Sequence, residues 1–139
     1  MSLTIATSLT RHSAMAKRAG RPLVVMTSLP GCPYCDLVRD HYLSPMALAN
    51  EVVAVQLNIT DNTAMVEDFD GLARSAKTIA KRWDARFAPT LLFFNNEGVE
   101  LAERIVGVAV PDFFGAYLEQ RLETAKRILQ SASLTQYAG

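Results

Sequence analysis

Cysteine is scarce in this chain of 139 residues: Cys32 and Cys35 are the only two. One pair cannot build the multiply bridged framework of a small secreted scaffold, and a chain of this length buries enough apolar surface to fold without one. Net charge is missing as well. Fourteen basic and fourteen acidic side chains cancel, which removes the basic footprint of a nucleic-acid binder. Long apolar runs are also absent. Nothing approaches the roughly 20 residues that span a bilayer, so membrane insertion is not expected, and MSLTIATSLTRHSAMAKRAG lacks the continuous apolar core of a secretory signal. There are two histidines, His12 and His41, and neither stands at finger spacing from the cysteines, so no metal site is expected. The acids Asp61, Glu67, Asp68 and Asp70 do not follow the ligand order of a calcium loop and read as a solvated insertion. Without repeats, low-complexity tracts or linkers, residues 1–139 read as one domain: an N-terminal extension over 1–21 and a core over 22–130.

What is present is a regular alternation of helices and strands. TSLTRHSAMAKRAG places Leu9, Ala16 and Ala19 among basic residues and stops at Gly20, the pattern of a short amphipathic helix with a glycine past its end. LVVMTS, Leu23 to Ser28, has the composition of a strand covered on both faces. From Pro33 a helical period runs through Leu37, Val38 and Tyr42 to Ser44-Pro45, where Ser44 as N-cap predicts a second short helix. Val52 to Ile59 is the next strand, with Val53, Val55, Leu57 and Ile59 on one face. The stretch 60–76 shows an Asp70-Gly71 turn signal and no clear period, and SAKTIAKRW reads as helix. Thr90 to Phe94, a turn at 95–98, and Val99 to Val106 predict a β-hairpin. A closing helix carries Phe114, Leu118, Leu122, Ala125 and Leu129 on one stripe, with Pro111 and Asp112 suited to its first turn. The other aromatics, Phe69, Phe87, Phe93, Phe94, Phe113 and Trp83, read as core and hairpin packing. The order predicts an α/β fold whose mixed sheet of four or five strands is flanked by helices.

The two cysteines sit in PGCPYCDLV, between a buried strand and a helix. Such a pair serves as a redox couple, as half of a metal site or as a structural crosslink. A three-residue loop gains little from crosslinking, and a metal would need two further ligands. The redox reading has a direct physical basis. A cysteine at a helix N-terminus meets unpaired backbone N–H groups and the positive end of the macrodipole, which lowers the pKa of Cys32 and makes it the nucleophile. Pro33 falls where its missing N–H costs nothing. Cys35, one turn along, is placed to attack a mixed disulfide at Cys32.

From Leu23 to Leu129 the chain resembles the thioredoxin-like thiol–disulfide oxidoreductases: a strand, CPYC, a helix, a strand, a helix, then APT entering a hairpin, the glycine of IVGV and a final helix. The resemblance implies the thioredoxin fold, with Pro89 as the cis-proline facing the cysteines and Gly107 ending the last strand. It also implies catalytic Cys32 and Cys35, and substrate contacts from Gly31, Pro33, Tyr34, Ala88, Pro89 and Thr90. Two positions depart from the thioredoxin pattern. Gly31 stands where a tryptophan usually precedes the first cysteine, and Met26 stands where a buried acid is usual. Pro33-Tyr34 is glutaredoxin-like, but the residues by which glutaredoxins hold glutathione are missing.

The expected activity is reduction of disulfides in protein substrates through a Cys32/Cys35 cycle. A dithiol donor would restore the pair, with no bound cofactor and with the chain acting as a monomer. A disulfide oxidase or isomerase would use the same motif, and a partner-binding module with a redox latch is a further alternative. The helix break at Ser44-Pro45, the acidic stretch around DFDG and RIVGVAVPDFFGAYLEQRL look most like bacterial periplasmic thioredoxin-like proteins. That implies a periplasmic location, with the signal peptide outside this sequence; the cytoplasm is the alternative.

Overall fold

The computed structural model describes residues 2–138. Its centre is strand β1 (Leu23–Ser28), every residue of which is buried. β1 runs parallel to β2 (Val53–Asn58), from Leu23 opposite Val53 to Ser28 opposite Asn58. On its other side β1 runs antiparallel to β5 (Thr90–Phe94), and the two-residue β6 (Ile105–Val106) completes a four-stranded sheet in the order β2-β1-β5-β6. Successive β1 side chains therefore enter opposite cores. Val24 and Met26 join Leu91, Phe93 and the long C-terminal helix α5 (Phe114–Ala138). Leu23 and Val25 join Leu92, Phe94, helix α1 (Leu9–Arg18) and helix α4 (Ala76–Arg82). On α5 the expected stripe faces inward, with Phe114, Leu118 and Ala125 buried and Leu122 and Leu129 half-buried.

The N-terminal segment is structural rather than appended. Gln56 N–H donates to the Thr4 carbonyl at 2.8 Å and Ala6 N–H to the Gln56 carbonyl at 2.9 Å, so this segment covers the outer edge of β2, which would otherwise offer unpaired backbone groups. Leu3 and Leu9 are buried in the two cores. Ser8 caps α1 by accepting from Arg11 N–H, and Gly20, at φ +70, follows the helix end. Ala19, expected on the packed face, is instead an exposed C-cap residue, and Ser13 takes the buried place.

The helix after the cysteines does not restart at Ser44. Helix α2 (Pro33–Val38) passes through a π-helical turn (Arg39–Leu43) into α3 (Ser44–Leu48). Ser44 has helical dihedrals, its N–H donates to the Arg39 carbonyl, and its buried hydroxyl donates to the Ser2 carbonyl at 2.6 Å. The wider turn gives the Pro45 ring room that a regular α-turn denies it, so the chain runs on where a break was expected.

Residues 60–76 contain a small hairpin, β3 (Met65–Glu67) with β4 (Ala73–Ser75). Its acids are not simply solvated. Asp68 is 5% exposed and accepts from Arg74 at 2.8 Å, while Arg74 also donates to both oxygens of Asp70. Glu67 accepts from Thr10 and Ser8 and so ties the hairpin to α1. The hairpin after β5 is shorter than expected. Between the Phe94–Glu100 bridge and the Leu91–Ile105 pair, the return chain takes five steps against three on β5, so it bulges from the edge. Two aromatics also depart from the expected packing: Phe87 and Phe113 are 56% and 58% exposed.

Two outcomes follow from this packing. Leu9→Ala, which empties a fully buried site on α1, should cost about 2–4 kcal/mol in urea unfolding; a loss below about 1 kcal/mol would show α1 to be dispensable. In the β3–β4 turn, bonds from Arg74, followed by the Leu72 N–H, hold the Asp70 carboxyl well below the usual carboxylate range. A lowered folded-state pKa stabilises fully above the ordinary value of about 4 and is lost as pH falls below it. Protection of the hairpin amides, measured as exchange relative to the intrinsic rate at each pH, should therefore hold from neutral pH to about 4 and fall below it, with Asp70→Asn removing that dependence.

Candidate active site

β1 ends at Ser28, and the chain turns through Leu29, Pro30 and Gly31 into α2. Gly31 has φ +70 with open space around its Cα, so the left-handed backbone accounts for glycine where a tryptophan was the family expectation. Cys32 is the N-cap of α2, and its sulfur accepts from Cys35 N–H at 3.2 Å. Pro33 follows at the first helical position. Cys32 and Cys35 are joined by a disulfide with a Cα–Cα distance of 5.2 Å. Cys32 is 9% exposed and Cys35 1%, so the first sulfur lies nearer to solvent, as an attacking group requires, and the second is enclosed.

Facing the pair is the loop that leads into β5. Its Ala88–Pro89 peptide is cis, and the Ala88 carbonyl oxygen lies 3.8 Å from the Cys32 sulfur. Pro89 is buried and Ala88 half-buried. The Pro89 carbonyl accepts from Gly107 N–H at 2.7 Å, which locks the loop to the end of β6. Gly107 has φ +71, and a Cβ there would stand 3.1 Å from the Phe87 ring, so glycine is required by backbone and neighbour together. Thr90 is 1% exposed. Its N–H donates to Thr27 Oγ1 and its hydroxyl to the Phe87 carbonyl, so both groups are taken up in shaping the loop.

The structure thus brings Gly31, Cys32, Pro33, Tyr34 and Cys35 to one end of β1, opposite Ala88 and Pro89, with Thr90 behind them. Tyr34 is 51% exposed on α2. Two residues of the site have no motif to announce them. Thr27, with no exposed surface, donates to the Phe87 carbonyl at 2.9 Å and accepts from Thr90 N–H at 2.7 Å. Phe87 projects its ring beside the loop. A polar residue within the apolar run LVVMTS was the available signal for Thr27, since a buried hydroxyl must find partners.

The electrostatics are spare. Met26 is buried in the same apolar cluster as both cysteines, and among the described residues no charged side chain bonds to either sulfur. Cys35 has the Thr27 carbonyl 4.0 Å from its sulfur. No group of three His, Cys, Asp or Glu side chains among the described residues is placed to hold a metal ion. His41 lies exposed on the π turn, and His12 accepts from Thr7 N–H on α1. The arrangement is one of an outer and an inner sulfur in a mostly apolar setting, facing a backbone edge.

Gly107→Ala should lower stability by about 1–2 kcal/mol through its left-handed backbone and shift the Phe87 ring; an unchanged melting temperature would contradict the backbone cost, and an unmoved ring the close approach.

A family model described as a thioredoxin-like domain matches residues 10–122. Comparison with curated protein sequences finds no match. Among solved structures, thioredoxin O2 from Arabidopsis thaliana in the oxidised state superposes with a TM-score of 0.56 at 20% identity, covering 86% of this chain and 93% of that one. Mitochondrial thioredoxin 3 from Saccharomyces cerevisiae, also oxidised, gives 0.54 at 21% identity over 87% and 93%. Fasciola hepatica thioredoxin gives 0.54 at 14% identity over 84% and 98%. At these identities the likeness to solved structures is one of fold.

Proposed function

The chain belongs to the thioredoxin-like domain family, and from that premise we propose that it reduces disulfide bonds of other proteins through a Cys32/Cys35 cycle. A thioredoxin-like domain with such a pair supports thiol–disulfide oxidoreductase activity, and the reductive direction and protein substrates are the proposal. The observation that carries it is the disulfide between an outer Cys32 at a helix start and an enclosed Cys35, opposite the backbone of Ala88 and Pro89.

In the reduced protein the Cys32 thiolate attacks one sulfur of a substrate disulfide, forming a mixed disulfide and expelling the other substrate sulfur as a thiolate. The Cys35 thiolate then attacks the Cys32 sulfur. The Cys32–Cys35 bond forms, the second substrate sulfur leaves, and two electrons have passed from the protein to the substrate. A dithiol donor reverses the exchange and restores the pair.

The direction rests on how little stabilises a thiolate at Cys32. A strongly oxidising pair owes its potential to a stabilised reduced form. Here the sulfur has one backbone N–H and the helix start, and no cationic side chain bonds to it among the described residues. Ala88, Pro89 and Tyr34 form the surface along which a substrate segment lies, and the protein acts as a monomer. Residence in the periplasm belongs to the same proposal and rests on the sequence resemblance alone.

Equilibrating the pair in defined thiol buffers is the test. A potential near about −270 mV supports a reductase, and one near about −120 mV an oxidant that installs disulfides. Cys32→Ser should abolish insulin reduction, and Cys35→Ser should accumulate mixed disulfides; turnover surviving the first change would end this mechanism.

A further inference from the structure

Thr27 is the one polar side chain with no exposed surface on a strand otherwise built of leucine, valine and methionine up to its last residue. β1 and β5 pair by backbone as far as Met26 opposite Leu91. At the next position the Thr27 hydroxyl takes over, accepting from Thr90 N–H and donating to the Phe87 carbonyl. Those two groups flank the Ala88–Pro89 peptide on either side. The Phe87 carbonyl receives a second hydroxyl, from Thr90 at 2.6 Å, so the loop is held by a closed set of three hydrogen bonds. The backbone of Thr27 also reaches the chemistry, with its carbonyl 4.0 Å from the Cys35 sulfur, while the loop's Ala88 carbonyl stands 3.8 Å from the Cys32 sulfur.

We propose that Thr27 is a positioning residue for disulfide exchange: its hydroxyl holds residues 87–90 at the height over Cys32 at which an extended, disulfide-bearing segment of a protein substrate meets the sulfur. This rests on the exchange reading above. A valine has nearly the same shape and fits the strand, but it leaves Thr90 N–H buried without an acceptor and the Phe87 carbonyl with one donor instead of two. The loop then has reason to move. A substrate aligned along that loop feels the movement, because displacement of a reacting geometry by about 1 Å costs up to about a hundredfold in rate. A small disulfide that touches only the outer sulfur does not.

The test compares wild type, Thr27→Val and Thr27→Ser in steady state with oxidised insulin and with 5,5′-dithiobis(2-nitrobenzoate), after thermal melts have shown each protein folded. Thr27→Val should raise KM for insulin or lower kcat/KM about tenfold or more, with turnover of the small disulfide within about twofold, and Thr27→Ser should restore insulin reduction. Equal effects on both substrates, no effect on either, or a serine variant as poor as valine would overturn the assignment. Thr27→Ala gives the same comparison if the valine variant does not fold, and if neither hydroxyl-free variant folds then Thr27 is a structural residue and the proposal fails. Wild-type protein inactive on both disulfides would instead defeat the exchange reading itself.

Discussion

Strand β1 has water on neither face, and the rest of the molecule is arranged around meeting that constraint. Its backbone groups are taken by β2 on one side and β5 on the other, and its side chains alternate between two cores that need separate covers. α5 closes one, while α1, α4 and the β3–β4 hairpin close the other. A strand so held has a fixed end, and the cysteines leave from that end. The rigidity of the site is thus a property of the central sheet, which the loop 29–31 merely transmits.

At that fixed end, polarity is spent on geometry rather than on charge. Thr27, Thr90, Gly107 and the Phe87 and Pro89 carbonyls form a hydrogen-bonded frame, and the sulfurs sit among apolar neighbours that include Met26. Buried hydrogen bonds are strong where water is excluded, and each partner lost is costly, so such a frame holds one shape. Among the described residues no carboxylate bonds to the inner sulfur, and the Thr27 carbonyl lies 4.0 Å from it. Tyr34, two residues after the outer cysteine, and Phe87, just before Ala88, are both exposed rings at this end of the sheet.

Much of this was legible along the chain, for reasons that differ by element. β1, β2 and β5 are short runs of β-branched and aromatic residues, and burial forces such composition wherever helices cover both faces. The CPYC pair was legible because its chemistry depends on a three-residue spacing. The misreadings came where a local signal lost to a tertiary demand. Ser44-Pro45 resembles a helix start, but the chain absorbs the proline in a π turn and sends the Ser44 hydroxyl to Ser2, forty-two residues away. Asp68 looks solvated in isolation, but Arg74 and the packing of the hairpin bury it. Val99 to Val106 has strand composition, yet two extra residues relative to β5 force it off the sheet.

By itself the sequence determined the alternation of elements, the cysteine pair and its place at the start of a helix, and the turn positions where only glycine fits, because each depends on residues close together in the chain. Tertiary structure alone decided which groups face the sulfurs. Thr27 and Thr90 are sixty-three residues apart, and nothing in either neighbourhood announces that they share a hydrogen bond. The same holds for the N-terminal segment, whose cover of the β2 edge arises from Thr4 and Gln56. Long-range pairing is chosen by the competition of the whole chain for burial and for satisfied polar groups, and that competition is resolved only when the chain is folded.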